Sequence, residues 1–338
     1  MFSRYRSVLR RVVHTGVLYR NFNVGQIRKV PHNISVPVSV GFSLLTLIGL
    51  EKKLNAEDEL ILTIKHCILF IQRNEFDKAE QLLHVALKQA QQMQHNTGIT
   101  YIYDVMGNLA LERKQYDKAK QLFVAVTQRI IADGVSENDL KVIHLSAKLA
   151  RISHMQKDYT TAQLGFDWCL EKLYDKVKID PSDVNKQLLA MTEDWYGRLF
   201  LDCGKLELGI NYIKKSYENM KDIPEVEKEH LIIQLNDIGT ALYKVGAIDE
   251  SIEYLTEAID LGKTLPDMVE LGTVYVNLGR AYLQKQLIEK ARKTCGYGWR
   301  IAFMGKNDEI KKEAEICLQQ IKNAAIYYFF YFPCKIKL

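Results

Sequence analysis

The sequence predicts an all-α chain of about six stacked helix pairs. From Glu57 onward apolar residues recur at helical spacing, with no strand-type alternation. A pattern of small and aromatic residues repeats along that stretch, and the prolines within it fall only at the joints between copies. At 47% hydrophobic and 26% charged residues, the 338-residue chain lies in the globular range, which excludes wholesale disorder and a multi-span membrane protein.

The net charge of +5, from 46 Lys+Arg against 41 Asp+Glu, is unevenly placed. Met1 to Leu50 hold Arg4, Arg6, Arg10, Arg11, Arg20, Arg28 and Lys29 and no acid, which leaves the remainder at a net of −2. The basic balance therefore does not imply a nucleic-acid partner. On a helix of about 100° per residue, Phe2, Tyr5, Leu9, Val12 and Val13 share one side, and Arg4, Arg10 and Arg11 lie largely opposite. An Arg-rich, acid-free amphipathic start is the signature of a mitochondrial presequence, assigned here to residues 1–33; a disordered basic arm is the bland alternative. A secretory signal fits worse, because about thirty residues separate the first basic cluster from the apolar stretch. The Asn33-Ile34-Ser35 sequon is discounted on the same compartment argument.

Residues 34–56 carry a short apolar segment and a linker. Ile34 to Leu50 is seventeen residues without a charge. At about 1.5 Å per residue it falls short of a hydrocarbon core of about 30 Å. A short inner-membrane anchor, a sorting signal removed on maturation and a linker outside the fold compete as readings.

Residues 57–320 form the repeat array. The tetratricopeptide motif places a Leu-Gly pair, an aromatic and then Ala-x-x-x-Phe in about 34 residues. Gly107 with Tyr116, Ala119 and Phe123 fits it. So do Gly239 with Leu242, Ser251, Leu255 and Ala258, and Gly279 with Tyr282, Ile288 and Ala291. Weaker copies carry Cys67 with Phe70, Phe76, Ala79, Leu83 and Ala86; Ala150 with Tyr159, Ala162 and Phe166; and Gly197 with Phe200, Leu206, Ile213 and Gly209 in the Ala place. The small landmarks Cys67, Gly107, Ala150, Gly197, Gly239 and Gly279 are spaced 40, 43, 47, 42 and 40 apart, so the helices or the connections are stretched by about a turn or more. Pro181, Pro224 and Pro266 mark later joints, and Asn96-Thr97-Gly98 and Asp133-Gly134 the earlier ones. The expected fold class is a tetratricopeptide-type helix-pair solenoid with a period of 40–47. Residues 321–338 stand apart as an atypical tail, because the run Ile326 to Phe332 has β and aggregation character.

No catalytic constellation is found, and no cofactor or metal is expected. Gly262-Lys263-Thr264 lacks the first Gly of a phosphate loop, since Glu257 stands there, and Gly296-Tyr297-Gly298 follows no strand. Cys67, Cys169, Cys203, Cys295, Cys317 and Cys334 have no zinc-type spacing. Cys67, Cys169 and Cys295 occupy packing positions, a usage that fits a reducing compartment such as the matrix better than a disulfide framework.

The first helix of each pair is expected to line a concave binding face. The residue after each small landmark points there: Ile68, Asn108, Arg151, Arg198, Thr240 and Arg280. Asn108, Arg151, Arg198 and Arg280 are the candidate partner-binding residues, suited to a carboxylate or an acidic peptide, with a solvated polar face as the alternative. Ile64 and Ile68 stand where a clamp for chaperone C-terminal tails needs Lys and Asn, which weakens that reading.

Two strings, ITYIYDVMGNLALERKQYDKAKQLF from Ile99 to Phe123 and NEFDKAEQLLHVALKQAQ from Asn74 to Gln91, resemble the first repeats of the mitochondrial tetratricopeptide repeat protein 19 family. The leader and apolar stretch resemble its layout too, and the likeness spans Glu57 to Ile321. The resemblance implies a non-enzymatic factor at the inner mitochondrial membrane that associates with respiratory complex III. There it would help clear fragments of the Rieske iron–sulfur subunit. A matrix-facing position is expected, with inner-membrane association through Ile34–Leu50. It implies no catalytic residues. A mitochondrial co-chaperone holding precursor or acidic peptide segments in its groove is the alternative.

Overall fold

The computed structural model describes residues 55–331 except 266, 267 and 269, and for 326–331 it describes the backbone alone. The presequence, Ile34–Leu50 and Pro266 lie outside the described residues. Thirteen helices and no strand occur among the described residues, in six pairs and one further helix. We label the first helix of each pair A and the second B. The pairs are α1 Ala56–Gln72 and α2 Phe76–Gln92; α3 Asn96–Glu112 and α4 Tyr116–Ala132; α5 Leu140–Met155 and α6 Tyr159–Ile179; α7 Asp183–Asp202 and α8 Leu206–Met220; α9 Lys228–Lys244 and α10 Ile248–Gly262; and α11 Leu271–Gln284 and α12 Ile288–Met304. The last helix, α13, spans Asp308–Tyr331. The described residues form two compact units that divide between Asp158 and Tyr159, inside the third pair.

Within each unit, chain neighbours pack. In the first, α1 lies on α2, α2 on α3, α3 on α4 and α4 on α5. In the second, α6 through α13 continue the same order, and α11 also meets α9 and α13. In the five pairs that lie within one unit, a small landmark sets the contact between the two helices. Cys67 is fully buried, and a Cβ on Gly107 would come within 2.8 Å of the Phe123 ring. On Gly239 it would lie 2.6 Å from Leu255, and on Gly279 it would strike the Cys295 sulfur. At Gly197 a Cβ would meet Ile213 Cγ1 at 2.7 Å and also main chain, the Gly209 carbonyl at 2.8 Å, so α7 and α8 approach backbone to backbone. Ala79, Ala119, Ser251 and Ala291 supply the matching small surface on four of the B helices, each fully buried. Where that residue is Ser251, its hydroxyl donates to the Gly239 carbonyl at 2.7 Å and ties the two helices.

Register extends into the turns. Seven residues after each landmark stands a residue with positive φ: Asn74, Lys114, Lys157, Gly204, Gly246 and Gln286, between 60° and 84°. The left-handed residue ends helix A and aims the chain into helix B. Glycine takes this conformation freely, whereas a lysine or glutamine adopts it at a cost of about 1 kcal/mol or more. A second periodic contact joins successive pairs. The residue before the left-handed position reaches the first-turn Asp of the preceding B helix: Arg113 to Asp77 at 3.0 Å, Gln156 to Asp117 at 2.8 Å, and Lys285 to Asp249. These acids also sit at helix N-termini, where the backbone dipole favours them. The long period comes from helix length: α1 to α4 have 17 residues each, and α6 and α7 have 21 and 20.

Two findings depart from the sequence reading. The segment around Ile326 to Phe332 reads as β-prone, yet α13 continues as one helix to Tyr331, passing the expected array boundary at Gln320 without a break. Its first half is anchored on α12 and α11 through buried Ile310, Ala314, Cys317 and Ile321, which nucleates a helix the aromatic run then extends. Cys295 is also more than a small packing residue, because it is disulfide-bonded to Cys317 on α13. No sequence signal marks this bond, since it depends on the pairing register of two antiparallel helices. Cys67 and Cys169 are free buried thiols, both pushed up to about 12 by burial, and Cys203 is free and exposed.

Gly197→Ala should lose on the order of 1–3 kcal/mol of stability, because the Gly209 carbonyl cannot swing aside as a side chain can. Lys114→Gly should gain roughly 0.5 kcal/mol by relieving a left-handed lysine. Urea unfolding of the full chain measures both, and the two shifts should have opposite sign.

Candidate interaction surface on the A helices

In the first unit, α3 and α5 bring together polar residues one helical turn apart. Asp104 and Asn108 lie on α3, and His144, Lys148 and Arg151 on α5. Lys148 Nζ meets Asp104 Oδ1 at 3.0 Å, with both side chains under a tenth exposed, and Asn108 Nδ2 donates to Asp104 Oδ2 at 3.2 Å. The Lys148 ammonium also sits over the Phe123 ring, 4.8 Å from its centroid. A lysine taken out of water needs this pairing, since an unpaired buried charge is strongly disfavoured. Arg151 is buried, with Nη1 2.8 Å from His154 Nδ1. His144 is 3% exposed, and neither ring nitrogen has a hydrogen-bond partner. Burial first, and the Lys148 charge second, hold its pKa well below the usual histidine value, so the ring is neutral at pH 7.

In the second unit the centre is Arg198 on α7. Its Nε and Nη2 donate to Asp194 Oδ2 and Oδ1 at 2.7 and 2.8 Å, a bidentate pair, and Nη1 donates to Asp237 Oδ2 of α9 at 2.9 Å. Gln234 Nε2 donates to Ser216 Oγ at 2.8 Å, and that hydroxyl donates to the Ala190 carbonyl at 2.7 Å, fastening α9 and α7 to α8. Glu193 is almost fully buried. It accepts from Tyr174 Oη at 2.9 Å and from Asn219 Nδ2 at 2.8 Å, yet burial still raises its carboxyl above the ordinary value. His230, at the start of α9, is held near a pKa of about 4 by burial and by the Arg198 charge. On α11, Arg280 Nη2 donates to Glu313 Oε2 of α13, and Asn277 bonds to Asn236 and Thr240 of α9.

The four candidate residues thus all occur on A helices, Asn108 and Arg151 in one unit and Arg198 and Arg280 in the other. Each already has a partner within the chain, and in three of them the partner is a carboxylate. Sequence reasoning had singled out the cations. It missed Asp104, Asp237 and Glu313, which stand 33 to 44 residues from the groups they pair with. Among the described residues no group of His, Cys, Asp and Glu could hold a metal ion, and no helix is long and apolar enough to cross a membrane.

Sequence comparison decides the family. The chain is 36% identical over 273 residues to the mitochondrial tetratricopeptide repeat protein 19 homolog of Drosophila melanogaster, covering 80% of this chain and 74% of the relative. The chain belongs to the tetratricopeptide repeat protein 19 family. The human mitochondrial protein of that name is 29% identical over 266 residues, covering 75% of this chain and 70% of the human one. No family model matches the chain. Solved structures agree on the fold: apo RapI, at 13% identity, aligns with a TM-score of 0.63 over 96% of this chain and 86% of its own. The apo quorum sensor NprR from B. thuringiensis aligns at 0.56 over 85% and 75%, with 12% identity. Such low identities carry the architecture and no function.

The neutral histidines set an acid limit for a family member of this kind. A histidine whose folded pKa lies below its unfolded value of about 6.5 is protonated first in the unfolded chain. Stability is therefore full above that value and falls as pH drops toward the folded pKa. His144→Leu should flatten the change in the unfolding midpoint between pH 7 and pH 5, leaving the smaller slope due to His230. Thermal melts across that range measure the difference.

Proposed function

We propose that the chain is a non-enzymatic interaction scaffold at the inner mitochondrial membrane. It binds respiratory complex III and aids its maintenance by promoting clearance of Rieske iron–sulfur subunit fragments. The observation that carries this reading is the identity to mitochondrial family members across the repeat array, 36% over 273 residues. The A helices support it: their polar side chains form hydrogen-bonded rows across successive helices, a surface suited to an extended partner. Arg198 and Arg280 lie on such rows in the second unit, and Asn108 and Arg151 on one in the first, where both are buried. An acidic group of a partner reaches Arg198 or Arg280 by exchange with Asp194, Asp237 or Glu313. Membrane association would run through Ile34–Leu50.

One observation favours a second reading of orientation. The thiol usage suggested a matrix-facing array, but the Cys295–Cys317 bond suits an oxidising compartment and so the other side of the membrane. Importing the tagged full chain into mitochondria tests the proposal. Co-migration with complex III on native gels is expected, and protein running free in mild detergent would overturn it. Thiol trapping of the same imported protein reads the side: Cys295 and Cys317 shielded until reductant is added support the oxidising face, and free thiols support the matrix.

A further inference from the structure

At 24 residues, α13 outruns the two helices it packs on, α12 with 17 and α11 with 14. Cys317 of α13 is bonded to Cys295 of α12, and the two helices run antiparallel. Ile288, the first residue of α12, therefore lies level with about residue 324 of α13. On the other side Arg280 of α11 meets Glu313, so Gln284, the last residue of α11, lies level with about Cys317. Burial agrees with this register. Ile321 is buried, whereas Lys322, Asn323 and Ala325 are exposed. The helix nevertheless continues to Tyr331, ten residues beyond Ile321, which at about 1.5 Å each carries it roughly 15 Å further.

This extension ends in Ile326, Tyr327, Tyr328, Phe329, Phe330 and Tyr331. At about 100° per residue, these successive positions occupy every side of the helix, a pattern that belongs to a helix end surrounded by apolar material. The run is only about 9 Å long against a hydrocarbon core of about 30 Å, so it does not span a bilayer. It matches the interfacial layer, into which apolar helix faces sink by about 5–10 Å. Tyrosine suits that layer, because its ring sits against acyl chains while its hydroxyl stays wet. A dry protein interface would instead have to find partners for the hydroxyls of Tyr327, Tyr328 and Tyr331. Charge points the same way. Ile316 to Leu338 hold Lys322, Lys335 and Lys337 and no Asp or Glu. The turns after α9 and α11, at the same end of the helices, add exposed Val245 and Leu287 beside exposed Lys244. Asp249 and Glu289 nearby are paired with Lys285 and Arg292. We propose that the end of α13 is an interfacial anchor that seats this edge of the second unit on a bilayer carrying anionic headgroups. The inference goes beyond the scaffold reading and is separate from Ile34–Leu50: it is a second attachment, made rigid by the packed first half of α13.

The test adds the purified full chain to phosphatidylcholine vesicles made with and without cardiolipin. A Phe329→Trp variant reports on the helix end itself, its emission read as the difference from the parent. Lipids brominated near the headgroup or deep in the chain then quench according to depth. The expected result is a blue shift on cardiolipin vesicles, with quenching by the shallow bromines, and a response roughly tenfold weaker without cardiolipin or in high salt. Adding Tyr328→Glu and Phe330→Glu to that variant should return the emission to that of an indole in water and leave the thermal melt unchanged, since both positions lie beyond the packed turns. Should the melt shift as well, the single variant decides. Emission that stays in the water range on cardiolipin vesicles would overturn the proposal, and it is also what attachment through Ile34–Leu50 alone would give. A blue shift without lipid, unquenched by either bromine and accompanied by a dimeric mass on sedimentation, would overturn it in favour of a second copy of the chain. A quenched helix end in a chain that runs free of complex III keeps the anchor and removes the scaffold. An unquenched end in a chain that co-migrates with complex III does the reverse.

Discussion

Everything in this fold depends on how closely two helices of a pair can approach. A Cβ at Gly197 would meet the opposing main chain, and one at Gly239 or Gly107 would enter the side chain that fills the joint. Removing that carbon brings the helix axes close enough for Leu255 or Phe123 to be fully buried. The approach also fixes the phase of everything that follows. The left-handed turn stands seven residues on and the small residue of helix B five beyond that, and the Asp that receives the next pair lies between them. One steric condition thus propagates as a register.

The same register explains why the A helices carry so many internal ion pairs. Each pair adds a helix beside its predecessor at a nearly constant offset, so a cation on one meets an acid on the next. Lys148 with Asp104, Arg198 with Asp237 and Arg280 with Glu313 are three instances. The exposed members contribute little each. The buried Lys148 pair chiefly avoids the penalty of a lone charge. Their effect is to hold successive A helices together through charges paired within the chain.

The repeat register was legible from Cys67, Gly107, Ala150, Gly197, Gly239 and Gly279, because a missing side chain leaves a mark in the sequence wherever two helices touch. The turn conformations were legible only in part. Gly204 and Gly246 announce a left-handed residue, while Lys114, Lys157 and Gln286 adopt it because the helices on either side impose it. The candidate surface was legible as a set of cations and not as a site, since a side chain's partner some forty residues away is set by tertiary register. Asn236 and Asn277 escaped notice for that reason: two asparagines 41 residues apart carry no pattern until α9 and α11 lie together. The disulfide and the continuation of α13 to Tyr331 were hidden likewise, the first by pairing register and the second because local β preference yields to an anchored helix.

In a repeat array a helix with fewer packed neighbours opens more readily. At the start of the array, α1 relies on packing and on the Asn55 side chain, which accepts from the Asp58 amide at 2.7 Å. At the other end, Cys295 and Cys317 join α12 to α13 covalently across a separation of 22 residues, a closure of the kind that contributes about 3 kcal/mol. Fraying is therefore polarised. Amide hydrogens of α1 exchange through an opening that costs little, while those of α12 wait for a larger disruption. Reducing conditions remove that covalent tie, so the surroundings of the chain set how readily α13 leaves α12.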